Sequence, residues 1–315
     1  MALSKKQTGN MIMFFVASVF AINIPISKHL LSEYISPLGL TISRMLFAAI
    51  AFWIVSLFTK HEKIAAKDHI VIFAGGLLGI AINQGLFIYG LGKTSPVDAS
   101  IIITSGPLFA MIIAALILKE PITLKKFAGV IIGGLGAAYL VYTSHQGQVV
   151  QDSSMTGNIA VLSSAFCYAL YLVFTRPLTA RYSSVTLMKW MFLYSTIVLL
   201  PFTYQDLQSA NLFRQPDALP YMMYFYTLFG ATFITYMLIP VAQRLIRPTT
   251  ISMYNNLQPL IASLVAIMVG MDSFSIEKVI SGVLIFSGVY LVTISKSKAD
   301  ADAESEDQPE ATVEK

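Results

Sequence analysis

Long apolar runs follow one another along most of the sequence, and each is about as long as a membrane-spanning helix. A helix needs roughly 20 apolar residues to cross the hydrocarbon core of a bilayer. Windows of that length predict ten spans, at residues 10–32, 36–59, 70–91, 96–118, 124–142, 157–176, 184–203, 220–239, 248–271 and 276–295. Only 12% of the residues are charged, about half the usual share in soluble proteins. The sequence therefore predicts an all-α integral membrane protein with ten transmembrane helices.

The charged residues between these spans predict how the chain is oriented. If the N-terminus lies inside, fifteen Lys and Arg residues fall on the inner side and four on the outer side. Because cytoplasmic loops carry an excess of Lys and Arg, we expect a multi-pass protein of the cell (inner or plasma) membrane with both termini cytoplasmic. Residues 296–315 contain seven acidic residues and no large apolar group. They predict an acidic, disordered cytoplasmic tail.

The two halves of the sequence resemble each other. A shift of 148 residues aligns the earlier parts of the halves, and a shift of 152 aligns the later parts. The aligned pairs include Gly9-Asn10 with Gly157-Asn158, Tyr34 with Tyr182, Ser100 with Ser252, and Pro107 with Pro259. We interpret residues 1–147 and 148–295 as two five-helix repeats. Because five is odd, the repeats would cross the membrane in opposite senses. Inverted repeats of this kind are a transporter architecture with the binding site near the bilayer midplane.

The chain resembles the drug/metabolite transporter superfamily, in particular its EamA-type permeases, which have ten helices and two repeats. Two segments of the first half carry the resemblance, together with their second-half counterparts: FAINIPISKHLLSEYISPLGLTISRMLFAA at 20–49 and SPVDASIIITSGPLFAMIIAALILKEPITLKKFAGVIIGGLGAAYLV at 95–141. The residues that match the family pattern are Lys28, Pro37, Arg44, Pro107, Glu120 and Pro259, and Asp272 stands where the pattern usually has Glu. The resemblance implies a secondary transporter that exports a small organic metabolite, such as an amino acid.

Amide side chains and a proline interrupt the apolar run at 248–271. Asn255 and Pro259 share one helix face, and Gln258 lies beside them. Amides in a span need polar partners, so we predict that Asn255 and Gln258 line a solute cavity. The alternative is that they bind neighbouring helices, at about 0.6 kcal/mol per pair. Pro107 and Pro259 are predicted helix hinges.

Two further pairs of residues are candidates for the cavity wall. Asn83 and Gln84 are adjacent in one predicted span, so one should face solute and the other should bond to a neighbouring helix. We favour Gln84 for the solute. Tyr168 and Tyr171 are spaced i, i+3 and therefore lie on one helix face. Aromatic walls with a few polar groups are typical of small-molecule pockets.

Lys28 and Arg44 are cations near or within the predicted spans. Each is interpreted either as an anion contact at an outer gate or as an interfacial anchor, because long cationic side chains extend to the membrane surface. The sequence does not decide between the two roles.

Several classes of protein are disfavoured by what the sequence lacks. It contains no phosphate-binding GxxxxGK[ST] loop, no ligand spacing among its four histidines, and a single cysteine. We therefore predict no enzyme activity, no cofactor, no metal and no nucleic-acid partner. The expected partners are a small-molecule solute and the lipid bilayer, and a homodimer is left open. The alternatives to a secondary transporter are a passive channel and a membrane receptor or scaffold.

Overall fold

The computed structural model describes residues 4–94, 96–144, 154–214, 216–268 and 276–295, and every regular element in these ranges is helical. The α-helices are α1 (Lys5–Glu33), α2 (Pro37–Ser56), α3 (Ala66–Gly76), α4 (Asn83–Lys93), α5 (Pro96–Ile103), α6 (Gly106–Leu118), α7 (Leu124–Ser144), α8 (Met155–Thr179), α9 (Ser184–Gln208), α10 (Ala218–Phe225), α11 (Thr235–Leu245), α12 (Pro248–Met253), α13 (Leu257–Met268) and α14 (Ile276–Ile294). Two π-helical segments, Leu77–Ile82 and Tyr226–Ile234, join α3 to α4 and α10 to α11. Short 3₁₀ turns lie at Asn211–Arg214 and Tyr254–Asn256.

Eight helical stretches within these ranges are long and apolar enough to cross a membrane. They are Lys5–Glu33, Pro37–Ser56, Ala66–Lys93, Ile101–Leu118, Met155–Thr179, Ser184–Arg214, Ala218–Leu245 and Ile276–Ile294. Helix α7 and the α12–α13 stretch are the two predicted spans that are not among the eight. The described part of the chain is thus an all-helical membrane protein. The predicted acidic tail (296–315) and the boundary between the predicted repeats lie outside the described residues.

Serine side chains cap the N-terminal ends of four of the long helices. The hydroxyl of Ser36 accepts a hydrogen bond from the Gly39 amide at 3.0 Å, and the hydroxyl of Ser154 accepts one from the Gly157 amide at 3.0 Å. Ser4 and Ser183 cap α1 and α9 in the same way. Such caps satisfy amide groups that have no partner inside the helix, and each stabilises the fold by about 1 kcal/mol.

Helices pack in pairs that bring the two halves of the chain together. The most extensive contacts join α7 to α14 and α2 to α9, followed by α4 with α8 and α1 with α11. At the α7–α14 crossing, a Cβ on Gly288 would lie 2.5 Å from the Gly133 Cα and 2.6 Å from the Gly129 carbonyl oxygen. Only glycine fits there, and small residues of this kind let membrane helices approach closely. On the other side, the rings of Phe52 and Phe192 stack at 5.6 Å between α2 and α9.

Two helices are interrupted at the places where the sequence has a proline. Helix α5 ends at Ile103, and α6 begins at Gly106 with Pro107 as its second residue. Helix α12 ends at Met253, and α13 begins at Leu257 after a 3₁₀ turn, with Pro259 in its first turn. Proline is tolerated in a first turn because the amide it lacks would have no intrahelical partner. The prolines therefore start the second segment of each helix, and their role as hinges stays a prediction.

Candidate functional site

A cavity of about 100 Å³ lies inside the helix bundle. Its fourteen lining residues come from α1, α2, α4, α5, α8, α11 and the start of α13 with its preceding turn. They are Phe20, Asn23, Ile24, Arg44, Asn83, Gln84, Phe87, Ile103, Ser164, Ala165, Tyr168, Tyr236, Asn255 and Gln258. One water needs about 10–15 Å³ in a measure of this kind, so the cavity has room for several waters or a small polar group. Six of the eight residues that the sequence predicts as solute or anion contacts lie in this wall.

The predicted amides take two different roles in the wall. The Asn83 side-chain amide donates to the Ser164 carbonyl oxygen at 2.8 Å and thereby ties α4 to α8. Neither amide atom of Gln84 has a hydrogen-bond partner in the described part of the chain, although the side chain is only 3% exposed. The Tyr236 hydroxyl donates to the Gly79 carbonyl at 3.1 Å and lies near the Gln84 amide without completing a hydrogen bond. The Gln84 amide is thus available to a solute.

Asn255 and Gln258 form one polar unit next to the break between α12 and α13. The Gln258 Nε2 donates to the Asn255 Oδ1 at 3.2 Å. The adjacent Asn256 does not line the cavity and is fully buried. The break therefore presents two linked amides to the cavity and turns the third towards the packed interior.

Arg44 is a buried cation in the cavity wall, with 3% of the residue exposed. Its Nε donates to the Thr232 hydroxyl at 2.8 Å, and its Nη2 donates to the Ala231 carbonyl at 3.2 Å. Both acceptors are neutral. Arg44 belongs to none of the ion pairs among the described residues, and no lining residue is acidic. A guanidinium group keeps its charge in proteins, so the cavity carries positive charge that no carboxylate in its wall balances.

Two more lining residues have polar atoms in this region: Tyr168, which the sequence predicts, and Asn23, which the sequence analysis did not identify. The Asn23 Oδ1 and the Tyr168 hydroxyl are buried, and neither has a hydrogen-bond partner among the residues described. Asn23 is a single amide in an apolar span, which is the same signal that identified Asn255. Tyr236 also lines the cavity, and the shift of 152 residues aligns it with Gln84.

Two predicted contacts lie away from the cavity lining. The Lys28 ammonium donates to the carbonyl oxygens of Leu91 at 2.9 Å and Thr94 at 3.2 Å, where it satisfies the C-terminal end of α4. Tyr171 is fully buried and packs against Gly79, where an added Cβ would lie 2.2 Å from the Tyr171 ring. Its ring centroid is 5.9 Å from that of Tyr168, so it lies behind the cavity wall.

The cavity wall contains residues that the sequence repeat places in equivalent positions. The pairs are Phe20 with Tyr168, Gln84 with Tyr236, and Ile103 with Asn255. Arg44 has no charged equivalent, because the matching position in the second half is Phe192. The cavity therefore lies where the two halves of the sequence meet, and the first half supplies Arg44, the one cation among the described lining residues.

These features define a class: a multi-pass helical membrane protein with a cavity that is lined by several polar side chains from both halves of the sequence. The sequence model of the "EamA-like transporter family" matches this chain twice, at residues 7–142 and 155–294. The chain belongs to that family. The chain is 28% identical to an "Uncharacterized transporter" of Methanothermobacter thermautotrophicus, over 74% of this chain and 67% of that protein. It is also 28% identical to a "Probable terminal-alkyne amino-acid exporter" of Streptantibioticus cattleyicolor, over 52% of this chain and 53% of that protein. The family and these relatives are transporters, not enzymes.

A solved structure has the same overall fold. A chain described as "Crystal structure of protein" superposes with a TM-score of 0.71 and covers 96% of this chain and 98% of its own length. The two sequences are 14% identical, so the likeness concerns the fold alone.

Proposed function

We propose that the protein is a secondary transporter that moves a small organic solute, such as an amino acid, through the central cavity. The observation that carries this proposal is the buried Arg44 guanidinium, which lines a cavity with no carboxylate among its lining residues. An uncompensated buried charge costs several kcal/mol. A solute carboxylate that binds Arg44 would recover part of that cost during each transport cycle.

The other polar groups of the wall favour a solute with a second hydrogen-bonding end. Gln84 and Tyr168 have buried polar atoms without partners, and Asn255 and Gln258 lie in the same wall. The rings of Phe20 and Phe87 supply apolar surface, as in most small-molecule sites. An amino acid has a carboxylate, an amine and a side chain that match these three features. The relative named as a probable amino-acid exporter supports this class and the outward direction.

We further propose ten spans in two inverted five-helix repeats, residues 1–147 and 148–295, that alternate in exposing the cavity. The family matches the chain twice, once in each half. The repeat makes α1 equivalent to α8, α2 to α9, α4 to α11 and α7 to α14. If each helix is replaced by its equivalent, the α1–α11 contact becomes the α8–α4 contact, and the α2–α9 and α7–α14 contacts stay the same. These relations support a pseudo-twofold arrangement, which is typical of transporters with a midplane site. In this arrangement the protein lies in the cell membrane with both termini cytoplasmic, and α6 and α13 move at Pro107 and Pro259.

Transport in liposomes containing the pure protein tests this function. We expect saturable uptake of an amino acid and acceleration by the same solute on the opposite side (counterflow). Flux without saturation or counterflow would indicate a passive channel instead.

A pair of variants tests the position of the site. Asn255→Leu should lower the rate of uptake, because it removes an amide from the cavity wall. Asn256→Leu is the matched control, since it makes the same change one residue further on, outside the wall. Wild-type uptake by Asn255→Leu, or an equal loss in both folded variants, would contradict the assignment.

A further inference from the structure

A second cavity of about 280 Å³ lies at the end of the bundle where α14 ends. Its polar lining comes from the start of α1, the end of α8, the junction of α11 and α12 with the first turn of α12, and the end of α14 with the residue that follows it. These residues are Lys6, Arg176, Arg247, Thr250, Thr293 and Ser295. We call this cavity the basic pocket. Three of the six residues are cations, and none of its lining residues is acidic.

The wall of the basic pocket carries more positive charge than its nearest carboxylate can balance. Glu120 is 5% exposed and forms ion pairs with Arg176 and with Lys126, whose ammonium lies 2.8 Å from the carboxylate. The charge of Arg247 also acts on the same carboxylate. Among the described residues, three cations thus act on this one carboxylate, and Lys6 adds a further cation on the exposed rim. Charges of one sign in a cleft with low-dielectric walls concentrate the field and attract oppositely charged groups.

The geometry of Arg247 links the basic pocket to the end of α14. Its Nη2 donates to the Val292 carbonyl oxygen at 2.6 Å and to the Ser295 hydroxyl at 3.0 Å. Ser295 directly follows α14 and is the last residue that the structure describes. It lines the basic pocket. The sequence that follows therefore starts at the wall of the pocket.

That following sequence has the opposite charge. Residues 296–315 contain seven acidic residues and three lysines, and five of the acidic residues lie between 300 and 307. Asp300 is five residues beyond Ser295, and an extended chain of that length reaches about 17 Å. A short tether gives a local concentration in roughly the millimolar range, so even weak carboxylate–guanidinium contacts would be populated.

We propose that the acidic segment 300–307 binds in the basic pocket, where its carboxylates contact Arg176, Arg247 and Lys6. Lys6 belongs to α1, whereas the two arginines belong to the second half of the chain. The bound segment therefore ties the start of the first half to the second half at this end of the bundle. This proposal concerns a site separate from the central cavity and does not depend on which solute is carried.

A spin label on the full-length chain tests this binding directly. The label is attached at Ser305→Cys in a Cys167→Ser background, in uncharged detergent, and its mobility is measured by electron paramagnetic resonance. We expect a motionally restricted label at low salt. At about 0.5 M salt, where the Debye length falls to about 4 Å, the label should become mobile.

Variants of two neighbouring lysines identify the binding surface. Lys6→Glu should lower the ratio of restricted to mobile label about fivefold, since an exposed attraction of up to about 1 kcal/mol is lost and repulsion replaces it. Lys5→Glu makes the same change one residue earlier, outside the basic pocket, and should leave the ratio unchanged. Lys6→Arg keeps the charge and should also leave it unchanged.

Three outcomes would overturn the proposal. The first is a label that is mobile at low salt in the wild-type background, and the second is an equal effect of Lys5→Glu and Lys6→Glu. The third concerns anionic phospholipid, whose headgroup has related chemistry. If the label is mobile while phosphatidylglycerol raises the melting temperature in a Lys6-dependent way, the basic pocket is a lipid site rather than a site for the tail.

Discussion

The central cavity and the Glu120 cluster (Glu120, Lys126 and Arg176) both contain buried cations, but the cations have different kinds of partner. In the cluster, the Lys126 ammonium and the Arg176 guanidinium both bind the Glu120 carboxylate. In the cavity, Arg44 donates only to a hydroxyl and a backbone carbonyl. A buried cation that is paired holds helices together, because breaking the pair leaves an uncompensated charge. A buried cation that lines a cavity and has no carboxylate partner among the described residues is available to a ligand.

From this difference we expect the cluster residues to matter for stability and the cavity residues to matter for transport. The cluster connects α7 and α8 through the loop before α7, so its loss should affect folding. Asn23, Gln84 and Tyr168 in the cavity wall have buried polar atoms with no partner among the described residues, so replacing them should cost little stability. The following four predictions test this separation, and they are ordered from the largest expected effect to the smallest.

Glu120→Gln should strongly destabilise the protein. The change leaves the fully buried Lys126 ammonium without its carboxylate, and breaking a buried pair costs about 3–5 kcal/mol. Thermal unfolding in detergent measures the loss. Glu33→Gln is the control, because the Glu33 side chain is 55% exposed and its one ion-pair contact is with His29 at 3.9 Å. If both variants melt alike, the cluster does not have the structural role assigned to it.

Arg44→Met should keep the melting temperature near that of the wild type but weaken binding of a carboxylate-containing solute about 30-fold. This factor corresponds to about 2 kcal/mol, which is the lower end of the effect of removing one member of a buried charge pair. Ligand-induced shifts of the melting temperature measure the affinity. The amide analogue of the same solute is the control and should bind both proteins equally. An equal loss for solute and analogue would show that Arg44 acts through the fold.

Gln84→Leu should leave stability unchanged or raise it, because the buried amide that it removes has no partner in the described structure. Solute affinity should fall about fivefold, which corresponds to one hydrogen bond of about 1 kcal/mol. Asn83→Leu is a matched change at the adjacent residue. It should lower the melting temperature instead, since it removes the bond to the Ser164 carbonyl. If Gln84→Leu lowers the melting temperature and Asn83→Leu lowers the affinity instead, then Asn83 contacts the solute and Gln84 holds the helices together.

The smallest effect concerns pH. Burial raises the pKa of Glu120, but the hydrogen bond and charge of Lys126, with the charges of Arg176 and Arg247, outweigh burial and hold the pKa below its usual value of 4.5. The folded state therefore binds the proton less readily than the unfolded state. The stability from Glu120 is fully present above about pH 5 and is lost as the pH falls through the lower, folded pKa.

Melting temperatures of the wild type and Glu120→Gln test this sign. The gap between the two proteins should be constant from neutral pH to about pH 5 and should narrow only below it. If the difference in melting temperature already narrows between pH 7 and pH 6, a group other than Glu120 determines the pH dependence of the cluster's stability.

Much of the fold was predictable because the membrane limits the choices. Apolar runs of spanning length have to form helices in lipid, so the helical positions follow from the sequence. The amides at 255 and 258 were informative because an amide in a span requires a polar environment. The same signal was overlooked at Asn23.

The details of the cavity wall depend on helix rotation, which sequence spacing describes only for an ideal helix. Tyr168 and Tyr171 share a face by spacing, yet only Tyr168 lines the cavity, because Tyr171 packs into the space left by Gly79. Lys28 lies beyond the cavity because the end of α4 offers it two carbonyl oxygens. Contacts of this kind come from distant parts of the chain, and no local pattern reveals them.

The two π-helical segments have a consequence for the cavity that follows from helix geometry alone. Each lies just before lining residues: Leu77–Ile82 before Asn83 and Gln84, and Tyr226–Ile234 before Tyr236. A π turn holds one residue more than the corresponding α turn. Because the extra residue is taken up within one full turn, deleting it from either segment would restore an α turn and leave the residues beyond it facing nearly the same way. The wide turns therefore accommodate one more residue without rotating Gln84 or Tyr236 away from the cavity, and a relative without that residue would present the same side chains.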